Sequence, residues 1–196
     1  MELGVSEDQA RAGTDLLQRA GVSDQERIAI LNPGGNNAAK RWPVERFIDI
    51  GRTLREKHGV RVLVNGSPAE AELTGTIASG VNTAARGTEA IDLATRGITL
   101  GSLKEIVRRS SLMVTNDTGP RHIAAAFGVP VVSLFGPTDE RWTRIPVEPG
   151  METVLVADPG LTADEVADDF PERCRVDRIS TQSVLAAAEG LLGRKG

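Results

Sequence analysis

The sequence is short of the residues on which several kinds of site depend. It holds one cysteine, Cys174, in 196 residues, which excludes an internal disulfide and any metal site built from several cysteines. It has no tyrosine, and aromatics make up 3% of the chain, so a row of stacking platforms for bases is not expected. The two histidines, His58 and His122, have no neighbouring cysteine or paired carboxylate, which argues against a zinc site. Positive charge is not in excess either. The net charge is −4, whereas general nucleic-acid binders carry a basic balance. No apolar run approaches the roughly 18 residues of a membrane span, and the acidic N-terminus carries no signal-peptide pattern. A cytoplasmic setting is the expectation. What is left is ordinary globular usage, 40% hydrophobic and 26% charged, in a length that suits one large domain or two small ones.

Within that length, apolar runs alternate with helical patterns. "RIAILNPGG", "VRVLVNGS", "LMVTND" and "VPVVSLFG" read as buried strands ending in turn residues. "VNTAARG" is a further strand candidate, and "ETVLVAD" a last one. Between them lie helical stretches. Phe47, Ile50 and Leu54 recur at helical spacing after Pro43 and before Gly59. "PAEAELTGTIAS", "SLKEIVRRS", "PRHIAAAFG" and the closing "TQSVLAAAEGLLG" are helical. The first 24 residues read as a lead-in with a helix whose Leu16, Leu17 and Ala20 share a face. Residues 141–177, rich in proline and acid, are expected to loop over the surface. Strands apolar on both faces and alternating with helices predict an α/β domain with a parallel sheet covered on both sides. Right-handed crossovers bring the strand C-terminal ends to one edge. Ligands of such sheets bind outside that edge, so "NPGGNNAAK", "NGSPAE", "NDTGP" and "GPTDE" should gather in one rim.

Each rim segment has two readings. In "NDTGPRH", Pro120 suits a first helical turn. Asp117 or Thr118 can cap it, and the Thr118–Gly119 backbone can offer free N–H groups to a phosphate, with His122 in reach. A plain capped helix with a solvated histidine fits the same residues equally well. "NPGGNNAAK" joins backbone amides to Lys40, the ingredients of a phosphate cradle, without the ending of a Walker loop. Taken alone, a mobile turn with a solvated lysine is the simpler reading. Glu70, at a helix start after "NGSP", could accept ribose hydroxyls or simply complement a helix dipole. Trp42 reads as core and His58 as a structural residue at a helix end. Cys174 has no base partner that would make it a nucleophile. Ser133 lacks a nucleophile elbow, and Asp139 and Glu140 end a turn.

Taken in order, "NPGGNNAAKRWPVERF", "VNGSPAEAEL", "TNDTGPRHIAAAFGVPVVSLFGPTDERW" and, more weakly, "ERCRVDRISTQSVLAA" resemble the C-terminal half of the family 9 glycosyltransferases. These are the heptosyltransferases that build the lipopolysaccharide inner core. The resemblance runs from about Ile28 to Leu192, and its most specific part is the Asp-Thr-Gly-x-x-His run followed by Gly-Pro-Thr. It implies a Rossmann-like three-layer domain, the C-terminal half of a GT-B enzyme. Residues 1–24 would form a lead-in or inter-domain helix and residues 25–196 the nucleotide-sugar-binding domain. By position, Lys40 resembles the lysine that meets the diphosphate and Glu70 the ribose-binding glutamate. Thr118 and Gly119 resemble the phosphate contacts, Asp117 the contact to donor sugar hydroxyls, and His122 the histidine near the phosphate. Ile98, Thr99 and Leu100 align with the segment that packs on adenine.

The resemblance further implies an ADP-sugar donor, metal-independent transfer and no cofactor. Lys40 and the helix N-terminus would offset leaving-group charge. No catalytic residue is expected in this chain. The family's general base and its site for a lipid-linked or oligosaccharide acceptor belong to an N-terminal domain that the sequence does not show, so half an enzyme is the expectation, inactive alone. The loop "NPGGNNAAK" also departs from the family by lacking hydroxyls that some members place before the lysine. An exposed apolar face is expected where the other domain would pack, with self-association through it and peripheral contact with the inner membrane as further expectations. Nucleic acid is not an expected partner. A GT-B-like sugar-nucleotide epimerase and a non-catalytic nucleotide-binding domain are the alternatives.

Overall fold

The apolar runs fold as strands because each can supply two cores at once. The computed structural model describes residues 3–83 and 88–193. Along the chain lie α1 (Glu7–Arg19), β1 (Ile28–Asn32), α2 (Val44–His58), β2 (Arg61–Val64), α3 (Ala71–Asn82) and β3 (Ile91–Asp92). There follow α4 (Leu100–Arg108), β4 (Leu112–Asn116), α5 (Gly119–Ala126), β5 (Val131–Phe135), β6 (Glu152–Val156) and α6 (Thr181–Leu192). The strands make one sheet, parallel throughout, in the order β3-β2-β1-β4-β5-β6.

Ala29 and Leu31 of β1 enter one core, with Phe47, Ile50 and Leu54 of α2, Ile77 of α3 and Val184 of α6. Ile28 and Ile30 enter the other, with Leu16 and Leu17 of α1, Ile106 of α4 and Ile123 of α5. The two-residue period of a strand makes that division. Leu63 and Met113 repeat it in β2 and β4, facing away from Val62, Val64, Leu112 and Val114. The result is the three-layer α/β architecture expected of the sequence.

Local signals set the helix ends. Ser6 and Gln9 form a capping box at the start of α1. Pro43 precedes α2, and Gly59 ends it in the left-handed region at φ 61°, a conformation that disfavours any side chain. His58, beside that cap, meets Glu189 of α6 at 3.0 Å, so it joins two helices as well as facing a helix dipole.

Two expectations change here. Val81 and Asn82 belong to the last turn of α3, because Val81 is needed in the core beneath α2. Of the strand expected in "VNTAARG", Val81 and Asn82 are therefore helical and residues 84–87 lie outside the described residues, while the edge strand among the described residues is at Ile91–Asp92. Residues 141–177 do more than loop over the surface. They hold the last strand expected in "ETVLVAD", which forms as β6, and beyond that expectation Ala157, Ala167, Cys174 and Val176 are buried. Burial pushes the Cys174 thiol up, so it is a small core residue in its protonated form, not a reactive one.

The strand order reverses between β1 and β4. At that switch point the two crossovers diverge to opposite faces and leave a crevice outside the strand ends. β1 ends there in Asn32 and β4 in Asn116.

Candidate functional site

Three strands end in asparagine at the crevice: Asn32 at the end of β1, Asn65 directly after β2 and Asn116 at the end of β4. All three are buried, so every amide atom needs a partner, and their partners build the floor of the site. Asn65 Nδ2 donates to Asn32 Oδ1 at 2.6 Å. Asn32 Nδ2 donates in turn to the hydroxyls of Thr115 at 3.0 Å and Thr118 at 2.8 Å. Asn116 Nδ2 donates to the carbonyls of Pro33 and Gly34 at 2.8 and 3.2 Å, while its Oδ1 accepts from the Trp42 amide at 3.2 Å. One side chain thus ties both ends of the glycine loop to β4.

Above that floor lies a cleft of about 640 Å³, whose walls include Glu70, Thr99, Leu100 and Thr118. The glycine loop is clamped over it. Glu70 Oε1 accepts from the Gly35 amide at 3.2 Å, and Oε2 accepts from the Ser67 amide and hydroxyl at 2.9 and 2.8 Å. Arg41 donates from Nε and Nη2 to the Gly35 carbonyl at 2.9 and 2.7 Å. Gly34 lies so close to this clamp that a Cβ on it would strike the Glu70 carboxylate. Thr99 caps α4 through Ser102 and presents Leu100, 67% exposed, as an apolar wall. A large hydrophobic side chain held open to water beside polar walls suits a ligand with one flat apolar part.

Burial works against ionisation of Glu70, but the Ser67 and Gly35 hydrogen bonds and the Arg41 charge outweigh it and hold the carboxyl below its ordinary 4.5. A carboxylate whose folded value is depressed contributes stability that is fully present above the ordinary value and is lost as pH falls through the lower folded one. Wild-type and Glu70→Gln proteins should therefore differ in denaturation midpoint above pH 4.5 and converge on acidification. A gap that widens in acid would contradict the clamp.

The other expected residues stand beside the cleft and not in its walls. Lys40 ends a short 3-10 turn that Asn37 caps, and its Nζ lies 3.7 Å from Asp117 Oδ2. Gly119 opens α5, where a Cβ would meet nothing within 4 Å. His122 is half-buried one turn further along. Thr118 takes the N-cap position of α5, yet its hydroxyl makes no cap hydrogen bond, being held by Asn32 instead.

Several residues that shape the site escaped the sequence reading. The asparagines were legible as a pattern, one at each of three strand ends, but their mutual contact crosses the sheet. Arg121, beside His122 in the same motif, points the other way. It is 1% exposed and binds Ser133 Oγ, Glu152 Oε1 and the Thr143 carbonyl. Asp139 does more than end a turn. It is buried, caps the short helix after β5 and binds Arg141, whose guanidinium holds the Asp139 carboxyl down at about 2. A smaller cavity of about 380 Å³ lies next to it, but Asp139 is paired with Arg141 and Asp158 with Arg173, which leaves that wall little free charge for a ligand.

A parallel sheet in this order, with a polar cleft at its switch point, is a Rossmann-like fold. The chain belongs to glycosyltransferase family 9 (heptosyltransferase), whose model matches residues 1–169. It is 30% identical over 129 residues to lipopolysaccharide heptosyltransferase 1 of Pseudomonas aeruginosa, covering 61% of this chain and 34% of that protein. Lipopolysaccharide heptosyltransferase 3 of Escherichia coli K12 is 29% identical over 188 residues, covering 90% of this chain and 49% of that protein. The solved structure of E. coli ADP-heptose lps heptosyltransferase II matches with a TM-score of 0.78 at 25% identity, over 99% of this chain and 54% of that one. The chain thus spans about a third to a half of the length of these relatives. The family is one of glycosyltransferases, whereas the fold by itself is shared with a UDP-GlcNAc 2-epimerase of Methanocaldococcus jannaschii, TM-score 0.57 at 13% identity. No helix among the described residues is long and apolar enough to cross a membrane.

Proposed function

We propose that this chain binds the donor, an ADP-heptose-like nucleotide sugar, for transfer to a lipopolysaccharide core acceptor. One observation carries the reading. At the switch point of a family 9 chain, the cleft joins the Glu70 carboxylate, the apolar Thr99–Leu100 wall and the N-terminus of α5, with the Lys40–Asp117 pair beside it. These match the parts of a nucleotide sugar in order. Ile98 and Leu100 face the base, and Glu70 accepts from the ribose. Thr118, Gly119, Lys40 and His122 meet the diphosphate, and Asp117 meets the sugar hydroxyls. As the bond from anomeric carbon to diphosphate breaks, Lys40 and the amides at the start of α5 stabilise the charge gathering on the leaving group.

The acceptor hydroxyl and the base that takes its proton belong, in this reading, to an acceptor domain outside this chain. Residues 1–24 lead in from it, and residues 25–196 form the donor domain. Trp142, 67% exposed in the segment between β5 and β6, supports a docking surface for the acceptor domain. A cytoplasmic location at the inner-membrane face and transfer without a metal complete the reading.

Calorimetry with ADP, ADP-heptose and UDP-sugars tests it: ADP and ADP-heptose should bind, and the absence of binding to all three at millimolar concentration would sink it. Lys40→Ala should weaken ADP binding by about 1–3 kcal/mol, the scale of a hydrogen bond to a charged group. Unchanged affinity would remove Lys40 from the diphosphate.

A further inference from the structure

Lys40 and Arg41 are neighbours in the chain, but they serve different places. Lys40 ends the 3-10 turn, while Arg41 turns into extended backbone at φ −91° and ψ 113°, and their side chains part. Lys40 goes to Asp117 beside the cleft, 3.7 Å from its carboxylate. Arg41 lines the cleft itself, together with Gly35, Glu70 and Thr118. The cleft therefore has a cation in its wall, and it is not the lysine.

Gly35 shows which part of the cleft that cation faces. Its amide donates to Glu70 Oε1 at 3.2 Å. Its carbonyl accepts from Arg41 Nε and Nη2 at 2.9 and 2.7 Å. A Cβ built on it would lie 3.6 Å from Arg41 Cγ and 4.0 Å from Thr118 Cγ2. One bare residue thus brings Arg41 next to the Glu70 carboxylate and to the start of α5. The carbonyl fixes the plane of the guanidinium without neutralising it, because the partner is a dipole and not a charge. Two of the five N–H donors of a guanidinium are used in this way, and Nη1 has no bond among the described residues. The Arg41 charge reaches Glu70, but the Glu70 oxygens are taken by donors from Gly35 and Ser67. A guanidinium held in plane, with N–H groups to spare, is suited to phosphate.

We infer that Arg41 binds the phosphate next to the ribose and leaves the phosphate next to the sugar to Lys40. This rests on the donor-binding reading above, in which Glu70 takes the ribose and Asp117 the sugar. Adenosine, AMP and ADP differ by one phosphate at a time and so separate the two cations. Calorimetry with AMP and ADP, and NMR titration with adenosine, should show Arg41→Gln binding AMP and ADP alike about 10-fold more weakly, with adenosine changed less than twofold. The salt dependence of AMP affinity should become shallower in that variant, because a charge has gone. Lys40→Ala should weaken ADP and leave AMP within about twofold. Arg41 is exposed, so its loss does not open the core. AMP affinity unchanged in Arg41→Gln, or ADP alone weakened, overturns the inference. So does an equal loss of adenosine, or weaker AMP binding with its salt dependence unchanged, since a misplaced glycine loop would then suffice. An AMP loss in Lys40→Ala as large as in Arg41→Gln overturns it as well. A wild type that binds ADP but not AMP overturns the inference and leaves the donor reading standing. A wild type that binds no ADP overturns the donor reading itself, and this inference with it.

Discussion

Arg121→Ala is expected to destabilise the fold by about 3–5 kcal/mol, the cost of leaving one half of a buried ion pair without its partner. In a chain of 196 residues that corresponds to a fall in melting temperature of roughly 6–20 °C. The reason is geometric. Arg121 sits in the first turn of α5, yet its guanidinium lies under the sheet edge, 2.7 Å from Glu152 of β6 and 4.8 Å from the Phe135 ring, and it also holds the Thr143 carbonyl. Removing it takes the charge partner from Glu152, which is itself 8% exposed at the side chain and keeps only the neutral hydrogen bond from the Ser133 hydroxyl. The paired change Arg121→Met with Glu152→Leu should recover most of the loss, because it removes both charges together. Denaturant melts of the three variants check this. A single-variant loss below about 1 kcal/mol, the range of exposed pairs, would contradict the buried pairing. The same arginine braces the base of the helix whose N-terminus faces the cleft, so the variant should also weaken ADP binding.

Trp42→Ala should cost a comparable amount, about 3–5 kcal/mol, the range for emptying a buried large aromatic site. Trp42 is 2% exposed and stands edge-on to Phe47, with ring centroids 5.2 Å apart. Its indole N–H donates to the Ile179 carbonyl at 2.9 Å, which fastens residues near the C-terminus to the loop that carries Lys40. Trp42→Phe keeps most of the packing and loses that hydrogen bond, so a smaller loss of about 1–2 kcal/mol is expected. Chemical denaturation of both variants measures the difference. If the two losses are equal, the ring's bulk contributes nothing and the packing argument fails.

Both residues lie inside the stretches from which the family resemblance was read, but they differ in how far the sequence disclosed them. Trp42 follows a glycine-rich turn and precedes a helix whose apolar positions are regular, so core placement was the natural reading. Nothing in the local sequence around Arg121 discloses its burial. An arginine is buried only when distant groups meet it, and Glu152 is 31 residues away. Lys40 and Glu70 were recognised as rim residues from strand-end turns alone. That Glu70 grips the Gly35 amide, and that Gly34 must be bare to allow it, depended on how two loops approach each other.

The sequence by itself determined the layers, because a strand buried on both faces must be apolar at both parities and each helix must carry one apolar stripe. It determined also which turns reach the ligand edge, since right-handed crossovers leave no other arrangement. Only the tertiary structure decided how the side chains at that edge pair: the Asn65–Asn32–Thr118 ladder, the Asn116 tether of the glycine loop and the Arg121–Glu152 brace. Apolar burial is non-directional and shows in local pattern. Hydrogen bonds between buried polar groups need distances and angles met by residues far apart in the chain, and those exist only once the sheet has formed.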